Sequence, residues 1–288
     1  MNHEIKNKYV KVKINSFGAQ LNSLKKIDDE VEYIWQADEK YWNRHAPILF
    51  PIVGRLKDDE YIYKDKTYKM TQHGFARDCE FDVLRKDDDF LSFSLKSNSD
   101  SLEKYPFEFE LIISYELIYS KLVISYEVKN LSEDKMLFSI GAHPAFNWPF
   151  EDETKESYYF EFDDIKQTNR FFLNEKGLVF DSEKLTIKDN KIQLNDELFK
   201  KDALVFNDLT ISEVSLKNSE NNRFLKMNFK GFPYLGLWSK PTGAPFVCIE
   251  PWQGIADFED SSKNFEDKKG IISLKSDELF SCFYSIEV

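Results

Sequence analysis

Long apolar runs, paired cysteines and clustered basic residues are all missing from this chain. No stretch of about eighteen apolar residues occurs, so no membrane-spanning helix is expected. The opening segment MNHEIKNKYVKVKIN has no apolar core of the kind a secretory signal carries, which predicts a cytoplasmic protein. Cys79, Cys248 and Cys282 are odd in number, widely spaced and form no CxxC pair, as suits a reducing compartment without disulfides. The formal charge is −12, with acids and lysines scattered rather than blocked. Neither nucleic acid nor an anionic membrane surface is therefore expected as a partner, since both need a basic face. Arginine occurs six times beside thirty-three lysines, and histidine four times, so each of these residues bears inspection. Helical periodicity is nearly absent; DFEDSSKNFED at 257–267 holds one short helix at best. No repeat, low-complexity tract or Pro/Gly-rich linker divides the chain.

What the sequence does have is alternation. Of its 288 residues 42% are hydrophobic, ample for a large core. Phe107, Phe109, Leu111, Ile113, Tyr115, Leu117 and Tyr119 all fall on odd positions, a strict period of two. After a turn at SKL the pattern resumes at Leu122, Ile124, Tyr126 and Val128, and after NLSEDK a third strand begins at Met136, Phe138 and Ile140. Short polar turns between these strands predict an antiparallel meander. Further short strands are expected in YIYKDKTYKM, FLSFSLKSN, FLKMNF, FVCIE and the C-terminal IISLK and FSCFYSIEV. The expected architecture is all-β, one large antiparallel β-sandwich spanning residues 1–288 as a single domain.

Polar residues recur beside glycine and proline at a few places. In GAHPAFNWPF, Met136, Phe138 and Ile140 share one strand face, so Ser139, Gly141 and His143 point to the other, over small residues that leave room for a ligand. A histidine hydrogen-bonded in a loop corner would read the same way. In TQHGFARD, His73 precedes Gly74, whose missing side chain lets the backbone pass close to something. Arg77 and Asp78 behind it suit a structural ion pair. In FVCIEPWQG, Val247 and Ile249 share a face, so Cys248 and Glu250 share the other, and Pro251 ends the strand. A partly desolvated carboxylate there has a raised pKa and makes a better base, although a rim glutamate paired with lysine fits equally. Trp252 offers an apolar wall for the C–H face of a sugar. Arg55, after the run HAPILFPIVG, can present a planar fork to hydroxyls or anions, or pair with nearby acids such as Asp58. Asp202 and Asp208 flank the short strand in DALVFNDL.

Taken together, these segments resemble the aldose 1-epimerase (galactose mutarotase) family, most closely its LacX-type bacterial branch. The likeness runs through FGAQLNSLK, YIWQADEKYWNRHAPILFPIVGRL, HGFARD, GAHPAFNWP, DALVF, GFPYLGLWSK and CIEPWQGIAD, in that order and over nearly the whole chain. The resemblance implies a large, mainly antiparallel β-sandwich. It implies a glutamate base at Glu250 and a histidine acid at His143 that open and close an aldohexose ring to interconvert its anomers. It places substrate-binding roles on His73, Arg55 and, by a shorter motif, Asp202, with Asp208 as the neighbouring candidate. It implies no metal and no cofactor, with a small-molecule sugar as ligand to a monomer or homodimer. The segment around Arg55 is shorter than in galactose mutarotases, which leaves the sugar open.

Other readings of the same residues remain. A hexose-6-phosphate mutarotase needs cations converging on a phosphate, for which Arg44, Arg55 and Arg77 are the candidates. A non-catalytic carbohydrate-binding module would have lost the acid or the base, whereas both are present. A zinc hydrolase would use two histidines and a glutamate, but the short HExxH spacing is missing. A glycosidase would pair Asp202 with Glu250 and leave His143 without a task.

Overall fold

The computed structural model describes residues 1–207 and 209–288; Asp208 lies outside the described residues. The largest sheet has nine strands, centred on the hairpin Phe109–Ile118 and Lys121–Asn130. Phe90–Lys96 and then Asp82–Lys86 extend it on one side. Leu279–Glu287, Phe224–Asn228, Glu213–Asn218, Tyr158–Phe162 and Lys191–Gln193 extend it on the other. A second sheet of eight strands runs Val179–Thr186, Gln167–Leu173, Leu204–Asn207, Tyr234–Trp238, Phe246–Trp252, Gly141–Ala142 and Ile48–Leu49, with Ala145–Asn147 also paired to Phe246–Trp252. Ladders in both sheets are antiparallel.

The core lies between the inner faces of these sheets, where period-two alternation puts it. Phe109, Leu111, Ile113, Tyr115 and Leu117 are buried from one side; Leu204, Phe206, Leu235, Leu237, Val247 and Ile249 are buried from the other, in one continuous cluster. The rings of Phe162 and Phe206 meet across the gap at 6.5 Å. The architecture is therefore an all-β sandwich, as expected. No helix among the described residues is long and apolar enough to cross a membrane.

One local expectation is corrected. Met136–Phe138 does not extend the meander but pairs with Ile272–Leu274. The place beside Lys121–Asn130 goes to the C-terminal strand, which offers a ladder from Lys121↔Glu287 to Lys129↔Leu279 and so outcompetes a three-residue segment. The chain then crosses to the second sheet, so Gly141–Ala142 and Met136–Phe138 belong to different sheets. Residues 257–267 hold only the 3₁₀ turn Phe265–Asp267, and the one α-helix among the described residues is Ser99–Lys104. That helix is too short for periodicity to reveal; a reciprocal cap, Asn98 Oδ1 accepting from the Ser101 amide and Ser101 Oγ from the Asn98 amide, defines it instead.

Candidate active site

The strand Phe246–Trp252 turns Val247 and Ile249 into the core, and so turns Cys248, Glu250 and Trp252 to the opposite face of the second sheet. The chain opposite pairs twice with this strand, at Gly141↔Trp252 and at Ala145↔Cys248. Both pairings keep one register, which sets His143 directly across from Glu250. The amide of Ile249 donates to the Pro144 carbonyl at 3.3 Å between them. His143 Nε2 consequently lies 3.2 Å from Glu250 Oε2.

These two groups face a cavity of about 280 Å³. His73, Asp202, Trp252, Trp42, Trp238, Gln72, Arg77, Leu173 and Gly177 line it as well. Trp42 lies over the His143 ring at 4.8 Å and Trp238 meets it edge-on at 5.7 Å, so the imidazole sits in an aromatic box. Burial there pushes His143 down to about 3. Glu250 is 1% exposed, and burial, reinforced by the charge of Asp202, raises it well above the carboxylate range. The Trp252 indole opposes that shift only in part, and its N–H lies outside hydrogen-bond geometry. His143 Nδ1, Glu250 Oε2 and Trp252 Nε1 are all buried without a hydrogen-bond partner. Arg77 Nε, on another lining residue, is in the same state; buried polar atoms are ordinarily satisfied, so four orphans on residues lining one cavity mark a surface shaped for a polar ligand.

His73 closes the opposite wall, its ring 5.5 Å from that of His143. It stands in the left-handed region at φ 68° and is held by two reciprocal bonds to Gly54. Its own amide donates to the Gly54 carbonyl at 2.8 Å, and the Gly54 amide donates to Nδ1 at 3.1 Å. That second bond makes Nδ1 an acceptor and leaves the proton on Nε2, as a donor for a ligand. Burial and the charges of His143, Arg77 and Arg44 keep His73 well below its usual value, hence neutral.

Trp252 is seated between glycines. A Cβ at Gly141 would fall 2.7 Å from its Cδ1, and one at Gly236 would fall 2.7 Å from its Cη2 and Cζ2. Gly236→Ala is therefore expected to displace the indole and to destabilise the fold by about 1–3 kcal/mol, the usual cost of overpacking. Urea unfolding measures it; an unchanged midpoint would show that the indole has slack.

Of the residues singled out in the sequence, His73, His143, Asp202, Glu250 and Trp252 come together here. Arg55 is not among the described residues lining the cavity. Its Nε donates to Asp59 Oδ1 at 2.9 Å, and it stands behind Gly177, 3.8 Å from where that residue's Cβ would be. Arg77, read as part of an ion pair, does lie 3.7 Å from Asp78, yet it also lines the cavity and donates to the Gln72 carbonyl at 2.6 Å. Trp42 and Trp238 were not singled out by sequence. Their rarity was the available signal, since three of the five tryptophans line this one cavity.

A metal fits this donor set poorly. His143, Cys248 and Glu250 bring ligand atoms within 4.8 Å of one another, whereas donors around one tetrahedral zinc sit roughly 3.5 Å apart.

Comparison with known proteins bears on the family and the fold. A family model described as aldose 1-epimerase matches residues 1–263. The plasmid-encoded protein LacX of Lactococcus lactis subsp. lactis is 36% identical over 279 residues, covering 93% of each chain. A galactose mutarotase related enzyme from Lactobacillus acidophilus superposes with a TM-score of 0.96 at 38% identity, covering 100% of this chain and 97% of that one. A galactose mutarotase-like protein from Lactobacillus casei gives a TM-score of 0.93 at 31% identity, covering 100% and 99%.

Proposed function

The chain belongs to the aldose 1-epimerase family, and on that footing we propose that it interconverts the α and β anomers of a neutral aldohexose by acid–base ring opening. The observation that carries this reading is the directly opposed pair His143 and Glu250, 3.2 Å apart in a buried cavity. A hemiacetal carbon bears two oxygens, and anomerisation needs a proton removed from one and delivered to the other. As carboxylate, Glu250 takes the proton of the C1 hydroxyl. As imidazolium, His143 gives a proton to the ring oxygen while the C1–ring oxygen bond breaks and the C1 carbonyl forms. Rotation about C1–C2 presents the other carbonyl face, and closure returns both protons. Each positioned group contributes roughly 10²–10⁴-fold. His73, through Nε2–H, and Asp202 hold the sugar's oxygens, with Trp252 against its C–H face. Arg55, whose Nε pairs with Asp59, is left without a role in this cycle.

Throughout this cycle the pair holds one proton in excess of the fully deprotonated state. Neutral imidazole with neutral carboxyl is the form matching the open aldehyde; imidazolium with carboxylate is the form matching the closed ring. The opposite shifts of the two groups widen the pH range over which one proton is held, from about 3 at His143 up to the raised value of Glu250. Ordinary values would confine that range to roughly pH 4.3–6.5. The expected kcat/KM accordingly shows no step at the usual histidine value of about 6.5. A decline through neutrality with a midpoint near the usual histidine value would contradict it.

A phosphorylated sugar is supported less. Arg44 is paired with Asp78 at 2.9 Å and Arg55 with Asp59 at 2.9 Å, while Arg77 contacts Asp78 and the Gln72 carbonyl. Arg77 Nε is buried without a hydrogen-bond partner and is one donor at the cavity, where a phosphate calls for several. The testing experiment follows anomer exchange by NMR across a panel of aldoses and their 6-phosphates, before and after dialysis against a chelator. Acceleration of a neutral aldose, unchanged by the chelator, is expected. Exchange no faster than buffer for every sugar would leave a binding module, and loss on dialysis with rescue by zinc would transfer the chemistry to a metal.

A further inference from the structure

Lys268 is 6% exposed, a rare state for a lysine unless it is paired. Its Nζ donates to Asp257 Oδ1 at 3.0 Å and to the Ile255 carbonyl at 2.6 Å, and Asp257 is buried with it. Such a pair is weak evidence for stability, because taking both charges out of water offsets their attraction. The bonds around it show what it fixes instead. Asp257 Oδ2 accepts from the Lys57 amide at 3.0 Å and from Ser261 Oγ at 3.2 Å, and the Asp257 amide donates to the Arg55 carbonyl at 2.8 Å. The pair therefore staples segment 54–57 to segment 255–257, and Gly54, Ile255 and Ala256 from these segments line the sugar cavity. The two segments touch backbone to backbone. A Cβ at Gly54 would fall 2.5 Å from Ala256 Cβ and 2.6 Å from its Cα. Gly54 in turn holds His73 twice, accepting from its amide and donating to its Nδ1.

We propose that Asp257 and Lys268 are positioning residues for the sugar: their ion pair keeps the Gly54 amide on His73 Nδ1 and so keeps a proton on Nε2 for the ligand. Neither is among the described residues lining the cavity, so both act through Gly54. Every link of the path is a hydrogen bond or a packed backbone: Lys268 to Asp257, Asp257 to residues 55 and 57, Ala256 against Gly54, Gly54 to His73. Without the staple the 54–57 segment is released from Ala256, and His73 Nδ1 loses its donor. A neutral imidazole then exchanges between two tautomers, one of which offers no proton at Nε2. The proposal rests on the mutarotase reading for the identity of the ligand, and on the geometry alone for the state of His73.

The test uses the full chain labelled with nitrogen-15 at histidine, the His73 ring signals being assigned by their loss in His73→Gln. Long-range proton–nitrogen spectra then report its tautomer. Wild type is compared with Lys268→Met and with Asp257→Leu combined with Lys268→Met, which leaves no buried charge behind and so separates folding from positioning. Wild-type His73 is expected as the Nε2–H tautomer, and in both variants its two nitrogens should move towards the averaged shifts of a mobile imidazole. Calorimetric affinity for glucose or galactose, whichever wild type binds more tightly, should fall roughly three- to tenfold, the worth of one hydrogen bond. In NMR anomer exchange, kcat should fall by less than KM rises, since Glu250 and His143 are untouched. An unchanged His73 spectrum in a folded variant overturns the proposal, as does a loss carried by kcat at unchanged affinity. Failure of both variants to fold overturns it too, and assigns the pair to stability. The two readings fail separately. Absent exchange in wild type with a Lys268-dependent His73 tautomer rejects the mutarotase and keeps the positioning role; normal exchange with a Lys268-independent tautomer does the reverse.

Discussion

Glu250→Gln is expected to lower kcat for anomer interconversion by roughly 10²–10⁴-fold, the contribution of one positioned base. Glutamine matches the carboxylate in size and still hydrogen-bonds the C1 hydroxyl, but it accepts no proton there. His73, Asp202 and the Trp252 wall remain, so sugar affinity should change far less than rate. The variant also separates catalysis from stability. The Glu250 carboxylate is buried with Oε2 unpartnered, and its ionisation is opposed by burial and by Asp202. A neutral amide removes the cost of keeping that carboxyl protonated in the fold, so the thermal midpoint near neutral pH should be no lower than that of wild type. A slow variant with a collapsed midpoint would point instead to a structural role for the carboxyl.

The second large effect is expected at His143. His143→Asn removes the acid that protonates the ring oxygen and should cost a similar roughly 10²–10⁴-fold in kcat. The rings of Trp42 and Trp238 then lose one of their ring contacts and keep those to each other and to Phe246, so a modest loss of stability should accompany the loss of rate. Combining His143→Asn with Glu250→Gln should cost much less than the product of the two single losses, because both groups act on one coupled transfer. Steady-state polarimetry of the three variants gives the cycle. A fully multiplicative loss would mean that the two residues act on separate steps.

How far these residues could be read from sequence depends on the range of the interaction that places them. The odd-numbered run Phe107–Tyr119 needed only its own period; it is buried through Leu117 and its hairpin with Leu122–Val128 is present, whereas Tyr119 stands exposed in the turn at φ 56°. Glu250 was assigned the face opposite Val247 and Ile249 by the same argument, and it lies there. The pairing of His143 with Glu250 could not be read locally. Register between distant segments is fixed by the assembled sheet, and a one-residue slip would have turned His143 away. The resemblance supplied that pairing where periodicity could not. Met136–Phe138 was misplaced for the same reason, since its neighbour was decided by a competing strand at the far end of the chain. Arg77 and Arg55 show another limit. Both follow apolar segments near glycine, and only the packed loops decide that Arg77 borders the cavity while Arg55 turns to Asp59. The burial of Lys268 leaves no mark in composition at all.

The central claim is that Glu250 and His143 carry protons between the two oxygens of a hemiacetal carbon. Exchange spectroscopy on C1-labelled glucose and galactose at anomeric equilibrium, comparing wild type with Glu250→Gln at equal concentration, tests it most directly. The account predicts rapid α–β exchange at C1 of at least one of these sugars with wild type, and exchange close to that of buffer with Glu250→Gln. Equal exchange rates for the two proteins would contradict it.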